Sequence, residues 1–162
     1  MSAAATPQWL DDDEMRFWRS FILTATLLKS RLNRELVEGH GISHSDYSIL
    51  VVLSEAPDHQ MRMSALADFI ASSKSRLSHQ VARMEKAGLV ERQECDSDGR
   101  GVLAVMLPKG RELLERAAPT HVAGVRDHVI SRLSADEQRS FADALERVLQ
   151  GLSGSDEVAE AS

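Results

Sequence analysis

A chain of 162 residues that are 43% hydrophobic is long enough to fold around one buried core, and its single cysteine, Cys95, excludes a disulfide within the chain. The sequence has no basic segment followed by an apolar run and no stretch near the roughly 18 apolar residues of a membrane span, so we expect a cytoplasmic protein that binds no membrane. The net charge of -6 argues against indiscriminate nucleic-acid binding, although the segment 73–87 holds four Lys or Arg residues against a single acidic one.

The first predicted helix covers residues 11–38. Asp11 and Glu14 have the spacing of a capping box at its start, and its apolar residues recur at steps of three or four. Gly39 and Gly41 are expected to end it, because glycine readily adopts the left-handed conformation that closes a helix. The apolar stripe consists of Met15, Trp18, Ile22, Ala25, Leu28, Leu32 and Leu36.

A second helix is predicted after Ser43, whose hydroxyl can cap its N-terminus. The sequence Ala56-Pro57-Asp58 is expected to end this helix, since proline cannot continue it. Residues 61–63 then predict a short extended segment.

Two short helices separated by a tight turn follow, which is the pattern of a helix-turn-helix. Ser64 is expected to cap the first, and Ser72 or Ser73 the second, which ends near Gly88. The second of these helices has an apolar stripe, so its polar residues face solvent or a partner. The stripe consists of Leu77, Val81 and Met84.

Beyond residue 88 the pattern changes to two short strands, 89–92 and 102–106. The segment 94–101 between them is rich in turn-forming residues. These features predict a β-hairpin.

Two further helices are predicted in the last third of the chain. The first begins near Pro108, a residue suited to a first helical turn, and the second follows a capping box of Ser134 and Glu137. Residues 153–162 are small, polar and acidic, so we expect a disordered tail there.

The polar residues of the basic helix are candidate contacts to nucleic acid. Hydroxyl, ammonium, guanidinium and imidazole groups donate hydrogen bonds to phosphates and base edges, and a helix N-terminus attracts phosphate. A solvated helix face is the alternative interpretation, since exposed charges are common. The candidates are Ser73, Lys74, Ser75, Arg76, Ser78, His79 and Arg83.

The hairpin favours the nucleic-acid interpretation. Arg100 lies between Gly99 and Gly101 in the predicted turn, where a long cation can enter the minor groove of double-stranded DNA. Arg92, near the base of the hairpin, is a candidate phosphate contact. Asp98 is expected to support the wing by bonding turn amides or orienting Arg100.

The segment Leu66–Val90, LADFIASSKSRLSHQVARMEKAGLV, resembles the helix-turn-helix of the MarR family of bacterial transcriptional regulators. Asp98-Gly99-Arg100 is similar to the family's wing signature, and the C-terminal helix that closes at Leu152 is similar to its dimerisation element. Ala71 and Leu107 depart from the family, which often has glycine and threonine there. The first departure alters the turn between the two helices and the second removes a hydroxyl cap.

This resemblance implies a mainly α fold with a small β-hairpin wing, a winged helix-turn-helix whose N- and C-terminal helices form a dimerisation region. It also implies a homodimeric transcriptional regulator, a repressor, that binds a pseudo-palindromic DNA operator. The implied division of the chain is a flexible N-terminus at 1–10, a dimerisation helix at 11–38, a DNA-binding lobe at 43–107, C-terminal dimerisation helices at 108–152 and the tail at 153–162.

MarR-like proteins commonly bind a small aromatic or anionic effector between the dimerisation region and the DNA-binding lobe, and we expect such an effector to release this chain from DNA. The candidate pocket residues are Trp18, Ile22, His44 and Tyr47. The alternative for Trp18 and Ile22 is core packing, and for His44 it is an ordinary surface position.

Other functions have weaker signals. A metal-responsive regulator of the same fold would use the pairs His40/His44 or His121/His128, but no cluster of cysteines or carboxylates accompanies them, so we expect no metal and no cofactor. A winged-helix protein-interaction module would not need the polar helix face. We expect no enzyme, because the sequence has no phosphate-binding glycine loop, serine elbow or paired acid. Cys95 is expected to be a plain exposed thiol.

Overall fold

The computed structural model describes residues 7–94 and 101–159, with the backbone only for residues 153–159. Short 3-10 turns at Pro57–His59 and Ile130–Arg132 interrupt the helical chain. The elements in chain order are α1 (Asp12–His40), α2 (His44–Glu55), β1 (Gln60–Arg62), α3 (Met63–Phe69), α4 (Lys74–Lys86), β2 (Val90–Glu94), β3 (Val102–Met106), α5 (Pro108–His128) and α6 (Ala135–Ala159). The predicted fold class, mainly α with a small β-hairpin wing, is confirmed.

Local hydrogen bonds set the first two helices. The predicted capping box of α1 is present, with Asp11 accepting from the backbone N–H of Glu14 at 2.9 Å and Glu14 accepting from that of Asp11 at 2.9 Å. Gly41 closes α1 in the left-handed conformation at φ 67°. Ser43 caps α2 by accepting from the backbone N–H of Asp46 at 3.1 Å. None of the helices in the described ranges is both long enough and apolar enough to cross a membrane.

The helix-turn-helix is formed by α3 and α4. The prediction that Ser64 caps α3 is wrong, because the helix begins at Met63 directly after β1 and has no side-chain cap. Ser73 caps α4 as expected, accepting from the backbone N–H of Arg76 at 3.3 Å. Between the helices, Ala71 adopts a left-handed conformation at φ 49°.

The wing hairpin belongs to an antiparallel sheet with the strand order β1-β3-β2. Val90 pairs with Met106 and Glu94 with Val102, so the first hairpin strand begins one residue later than predicted. The sequence pattern did not reveal that β1 pairs with β3, because a strand of three residues is too short for an alternating pattern.

The main core lies where α2, α3, α4 and the sheet meet. Its largest fully buried side chains come from α1, α2, α3, α4 and β2, and they are Leu36, Ile49, Leu50, Leu53, Leu66, Leu77, Val81, Met84 and Val90. Gly110 in α5 packs so closely that a Cβ atom there would lie 2.2 Å from the carbonyl oxygen of Leu89. This contact fixes the start of α5 against the base of the wing.

The chain divides into two compact units between His121 and Val122. The second unit contains the end of α5, the 3-10 turn at Ile130–Arg132 and α6. Its turn is closed by Gln138, which donates to the carbonyl oxygens of Ile130 at 3.1 Å and Leu133 at 2.9 Å. The predicted capping box of α6 is present, with Ser134 and Glu137 bonded reciprocally at 2.8 and 3.3 Å.

Candidate nucleic-acid interface

One face of α4 presents a row of polar side chains to solvent. Its opposite face is buried, with Leu77, Val81 and Met84 no more than 2% exposed. The arrangement follows from the helical spacing of those three residues, which turns the intervening positions outward. The exposed residues are Ser73, Lys74, Ser75, Arg76, Ser78, His79 and Arg83, as the sequence predicts.

A cleft of about 270 Å³ lies beside this face, between α4, the start of α3 and the wing strands. The residues that line it are Met63, Ser64, Lys74, Ser78, Arg92 and Val102. Two cations and two hydroxyls therefore surround one small space, which is a suitable environment for a phosphate group. Ser64 was predicted only as a helix cap, so its place in the cleft was missed.

Arg83 is held on the side of α4 that faces α2. Its Nη2 donates to Oδ1 of Asp46 at 2.8 Å, and Nε2 of Gln80 donates to the same oxygen at 3.0 Å. The Asp46 side chain is 14% exposed and that of Arg83 is 65% exposed. Arg83 thus links two helices, a role its sequence position did not indicate.

Arg92 is bound by Glu85, the one acidic residue of α4. Its Nε and Nη2 donate to Oε2 of Glu85 at 3.0 and 2.8 Å, and its backbone N–H donates to Oε1 at 3.0 Å. The backbone hydrogen bond first, and then those from the guanidinium, hold the pKa of Glu85 below its ordinary value. Arg92 therefore borders the cleft with its side chain already fixed.

The other predicted wing residues, Asp98 and Arg100, lie outside the described residues, as does Cys95. Their assignments stay predictions.

The candidate effector residues separate into two places. His44 and Tyr47 of α2 both lie against His121 of α5. The ring centroid of His121 is 5.5 Å from that of His44 and 4.7 Å from that of Tyr47. Trp18 and Ile22 lie on the exposed surface of α1, 50% and 42% exposed. The ring of Trp18 is 6.5 Å from that of Phe21 in the same helix.

The two histidines of this cluster lie in a partly desolvated environment. Burial lowers the pKa of His44, and the charges of His121 and Lys29 lower it further. Burial also lowers the pKa of His121, against a smaller opposing effect of Glu35. Nδ1 of His121 is buried and makes no hydrogen bond to the residues that the structure describes.

A second cleft, of about 370 Å³, adjoins His44 between α1 and the start of α2. It is lined by Thr26, Lys29, Ser30, Asn33, His44 and Ser45, so it is polar and carries one cation. Within the described part of the chain, no group of three or more His, Cys, Asp or Glu residues is placed to hold a metal ion.

Comparison with known proteins places this architecture among transcriptional regulators. A family model described as MarR family matches residues 40–101. The chain is 30% identical to the HTH-type transcriptional repressor Mb2911 of Mycobacterium bovis. The alignment of 109 residues covers 67% of this chain and 76% of that protein. It is 27% identical over 108 residues to the transcriptional regulator HosA of Escherichia coli O157:H7, covering 67% and 78% of the two chains.

Solved structures are similar over nearly the whole chain. Sco3205, a MarR family transcriptional regulator from Streptomyces coelicolor solved in complex with DNA, is 44% identical with a TM-score of 0.87, covering 90% of this chain and 92% of its own. AbsC, a MarR family transcriptional regulator from the same organism, is 42% identical with a TM-score of 0.86, covering 91% and 99%.

Proposed function

This chain belongs to the MarR family of transcriptional regulators, and we propose that it is a repressor that binds a pseudo-palindromic DNA operator as a homodimer. The observation that carries the proposal is the polar face of α4 together with the adjacent cleft of Lys74, Ser78 and Arg92. The relative Sco3205 was solved in complex with DNA, which supports the same ligand here. A protein of this kind acts at the chromosome, so the proposal keeps the expected cytoplasmic location, and it includes no enzymatic activity.

In the proposed complex, α4 enters the major groove. Arg76 and His79 contact base edges there, and the cleft beside α4 receives a backbone phosphate between Lys74 and Arg92. The wing lies over the neighbouring minor groove, which Arg100 of the predicted turn enters. Sequence is read by α4, whereas the cleft and wing supply affinity and register.

The proposed homodimer explains exposed apolar side chains near both ends of the chain. In the first unit they lie on α1, and in the second on α6, within the proposed dimerisation segments 11–38 and 108–152. A partner that covers them removes this apolar surface from water. The side chains, each at least 42% exposed, are Phe17, Trp18, Ile22, Leu23, Leu27, Phe141, Val148, Leu149 and Leu152.

A two-fold dimer presents two copies of α4, which read two half-sites about one helical turn apart, roughly 10 base pairs. Occupancy of such a site at a promoter blocks access of the transcription machinery. The name of the relative Mb2911, a transcriptional repressor, supports this output.

We assign effector binding to the polar cleft beside His44. Lys29 supplies a positive charge and Ser30, Asn33 and Ser45 supply hydrogen-bonding groups, a composition that suits the anionic kind of small effector. Tyr47, three residues along α2, lies with His44 against the ring of His121. Trp18 and Ile22 stay proposed pocket residues, although they do not line this cleft in the single chain. We propose that a bound effector or the second subunit brings them into contact with it.

Selection of genomic fragments by the purified protein tests the proposed function. Fragments retained at moderate salt are sequenced and the protected region is mapped by footprinting. Retained fragments that share a palindrome with half-sites about one turn apart support the dimeric repressor. Retention of fragments without a shared sequence contradicts it, and retention of no fragment favours a winged-helix protein-interaction module.

A further inference from the structure

Glu85 is the one acidic residue of α4, Lys74–Lys86. A carboxylate beside DNA repels the phosphates, so on charge alone Glu85 weakens any complex that α4 forms. Its side chain is 33% exposed and therefore not buried away from that surface. What Glu85 contacts within the protein decides whether it only repels DNA.

Three hydrogen bonds from a single residue converge on this carboxylate. The guanidinium of Arg92 binds Oε2 through Nε and Nη2 at 3.0 and 2.8 Å, and the backbone N–H of Arg92 binds Oε1 at 3.0 Å. Strand β2 is an edge of the described sheet, so its outward N–H groups have no strand on that side to accept from them. Glu85 satisfies one such N–H and joins α4 to the wing.

This arrangement leaves Arg92 able to bind an anion. Arginine has five N–H donors, and Glu85 accepts from two of them. The Arg92 side chain is 38% exposed and lines the cleft with Lys74 and Ser78. A side chain already held in place loses less conformational freedom when it binds a phosphate.

From these contacts we propose that Glu85 is a positioning residue for DNA binding, which fixes the Arg92 guanidinium and strand β2 relative to α4. The inference rests on the proposed DNA-binding function. It reverses the sign expected from charge, because removal of this carboxylate weakens the complex although it removes a repulsive charge.

A double-mutant cycle on operator DNA tests this role. We expect Glu85→Ala to weaken binding roughly three- to tenfold, the scale of a partly exposed charged hydrogen bond. Arg92→Ala weakens binding as well, and the loss in the double variant is smaller than the sum of the two single losses, since Glu85 acts largely through the Arg92 guanidinium and only its bond to the backbone N–H survives in Arg92→Ala. Equal or tighter binding by Glu85→Ala overturns the proposal, as do fully additive losses.

Glu94→Ala is the matched control, because it removes a carboxylate from an exposed position on the same strand. We expect it to bind DNA as tightly as the wild type or more tightly. Glu85→Gln keeps an acceptor oxygen and guards against misfolding in the alanine variant. Binding by Glu85→Gln is expected to fall between wild type and Glu85→Ala, and thermal unfolding reports whether each variant folds.

Amide hydrogen exchange at Arg92, measured without DNA, separates this inference from the proposed function. We expect exchange of this amide to be about tenfold faster in Glu85→Ala, because its acceptor is lost. Unchanged exchange overturns the positioning role. If the wild type binds no operator while the exchange result holds, the proposed function fails and the Glu85 contact stands.

Discussion

The cationic side chains on and beside α4 differ in the protein groups that they contact. Lys74 lines the cleft beside the helix, and Arg76 is exposed in its first turn. Arg83 is bonded to Asp46 of α2, so part of its hydrogen-bonding capacity is used inside the protein. The charges on this surface are therefore not equivalent, and substitutions at them have different consequences.

Substitutions in α4 separate base reading from phosphate binding. We expect Arg76→Ala or His79→Ala to change which bases are preferred at one position of each half-site, because both side chains face the proposed major groove. Lys74→Ala weakens binding to all sequences and reduces the slope of log affinity against log salt by about two, because the proposed dimer loses one phosphate contact in each half-site. Binding to a library of operator variants at several salt concentrations measures both effects. Uniform losses for both classes of substitution contradict this division.

The histidine cluster of α2 and α5 predicts a dependence of stability on pH. Burial lowers the pKa values of His44 and His121 in the folded chain, so below about pH 6.5 the unfolded chain binds more protons than the folded one. The free energy of unfolding should therefore fall as the pH drops below about 6.5 and become level once the pH passes below the folded values.

Urea unfolding at several pH values between 8 and 5 measures this dependence. The variant His44→Asn/His121→Asn serves as control, and we expect it to lose most of the acid-side decrease. Stability of the wild type that rises on acidification through this range contradicts the account.

At the scale of the elements, the turn between α3 and α4 contains a residue at odds with its conformation. The N–H of Ser72 donates to the carbonyl oxygen of Ala67 at 2.9 Å and that of Ala71 to Asp68 at 3.1 Å, which is a Schellman closure with Ala71 in the left-handed position. The end of α4 has the same closure with Gly88 in that position at φ 73°. One helix end thus uses the favoured residue and the other does not.

We expect Ala71→Gly to raise the free energy of unfolding by roughly 0.5–1 kcal/mol, since glycine removes the steric cost of the left-handed conformation. Gly88→Ala is the opposite change in the same motif and should lower it by about 1 kcal/mol. Chemical denaturation of the two variants beside the wild type tests the pair. Destabilisation by Ala71→Gly would show that the strain at Ala71 is compensated elsewhere.

Local signals in the sequence predicted much of this architecture. The caps at Asp11, Ser43 and Ser134, and Ser73 as one of two candidates, were predicted because a cap and the backbone N–H that donates to it lie within a few residues. The same local signal wrongly predicted Ser64 as the cap of α3. The start of this helix is set by β1 and the sheet, and no hydroxyl caps it.

Contacts between residues that are far apart in the sequence could not be predicted from local patterns. The pairing of Asp46 with Arg83 joins residues 37 positions apart, and it depends on how α2 packs against α4. The cluster of His44 with His121 was missed likewise, because helical spacing pairs each of them with a different histidine. The polar face of α4 was predicted correctly, whereas the cleft that Ser64 completes needed the relative positions of three elements.

At the scale of the whole molecule, the proposed dimer depends on the exposed apolar side chains of α1 and α6. Leu149 is 60% exposed on α6, within the proposed dimerisation segment, and Phe69 is 68% exposed on α3, outside it. The two positions are similar in exposure and apolar character. They therefore form a matched pair for substitution.

We expect Leu149→Glu to weaken dimerisation at least tenfold, about 1.4 kcal/mol or more, because it places a charge in an apolar interface. Phe69→Glu should leave dimerisation unchanged. Sedimentation equilibrium over a range of protein concentrations measures the dissociation constants. A wild-type chain that is monomeric at micromolar concentration, or equal effects of the two substitutions, contradicts the proposed interface.

Recognition of a specific operator through α4 is measured by one ratio of affinities. The affinity for a selected palindromic duplex is compared with that for a shuffled duplex of the same composition at physiological salt. We expect at least about a thousandfold preference for the palindrome, since direct base contacts add to the shared attraction of phosphates. Equal affinity for the two duplexes would contradict it, because phosphate contacts alone do not distinguish sequences.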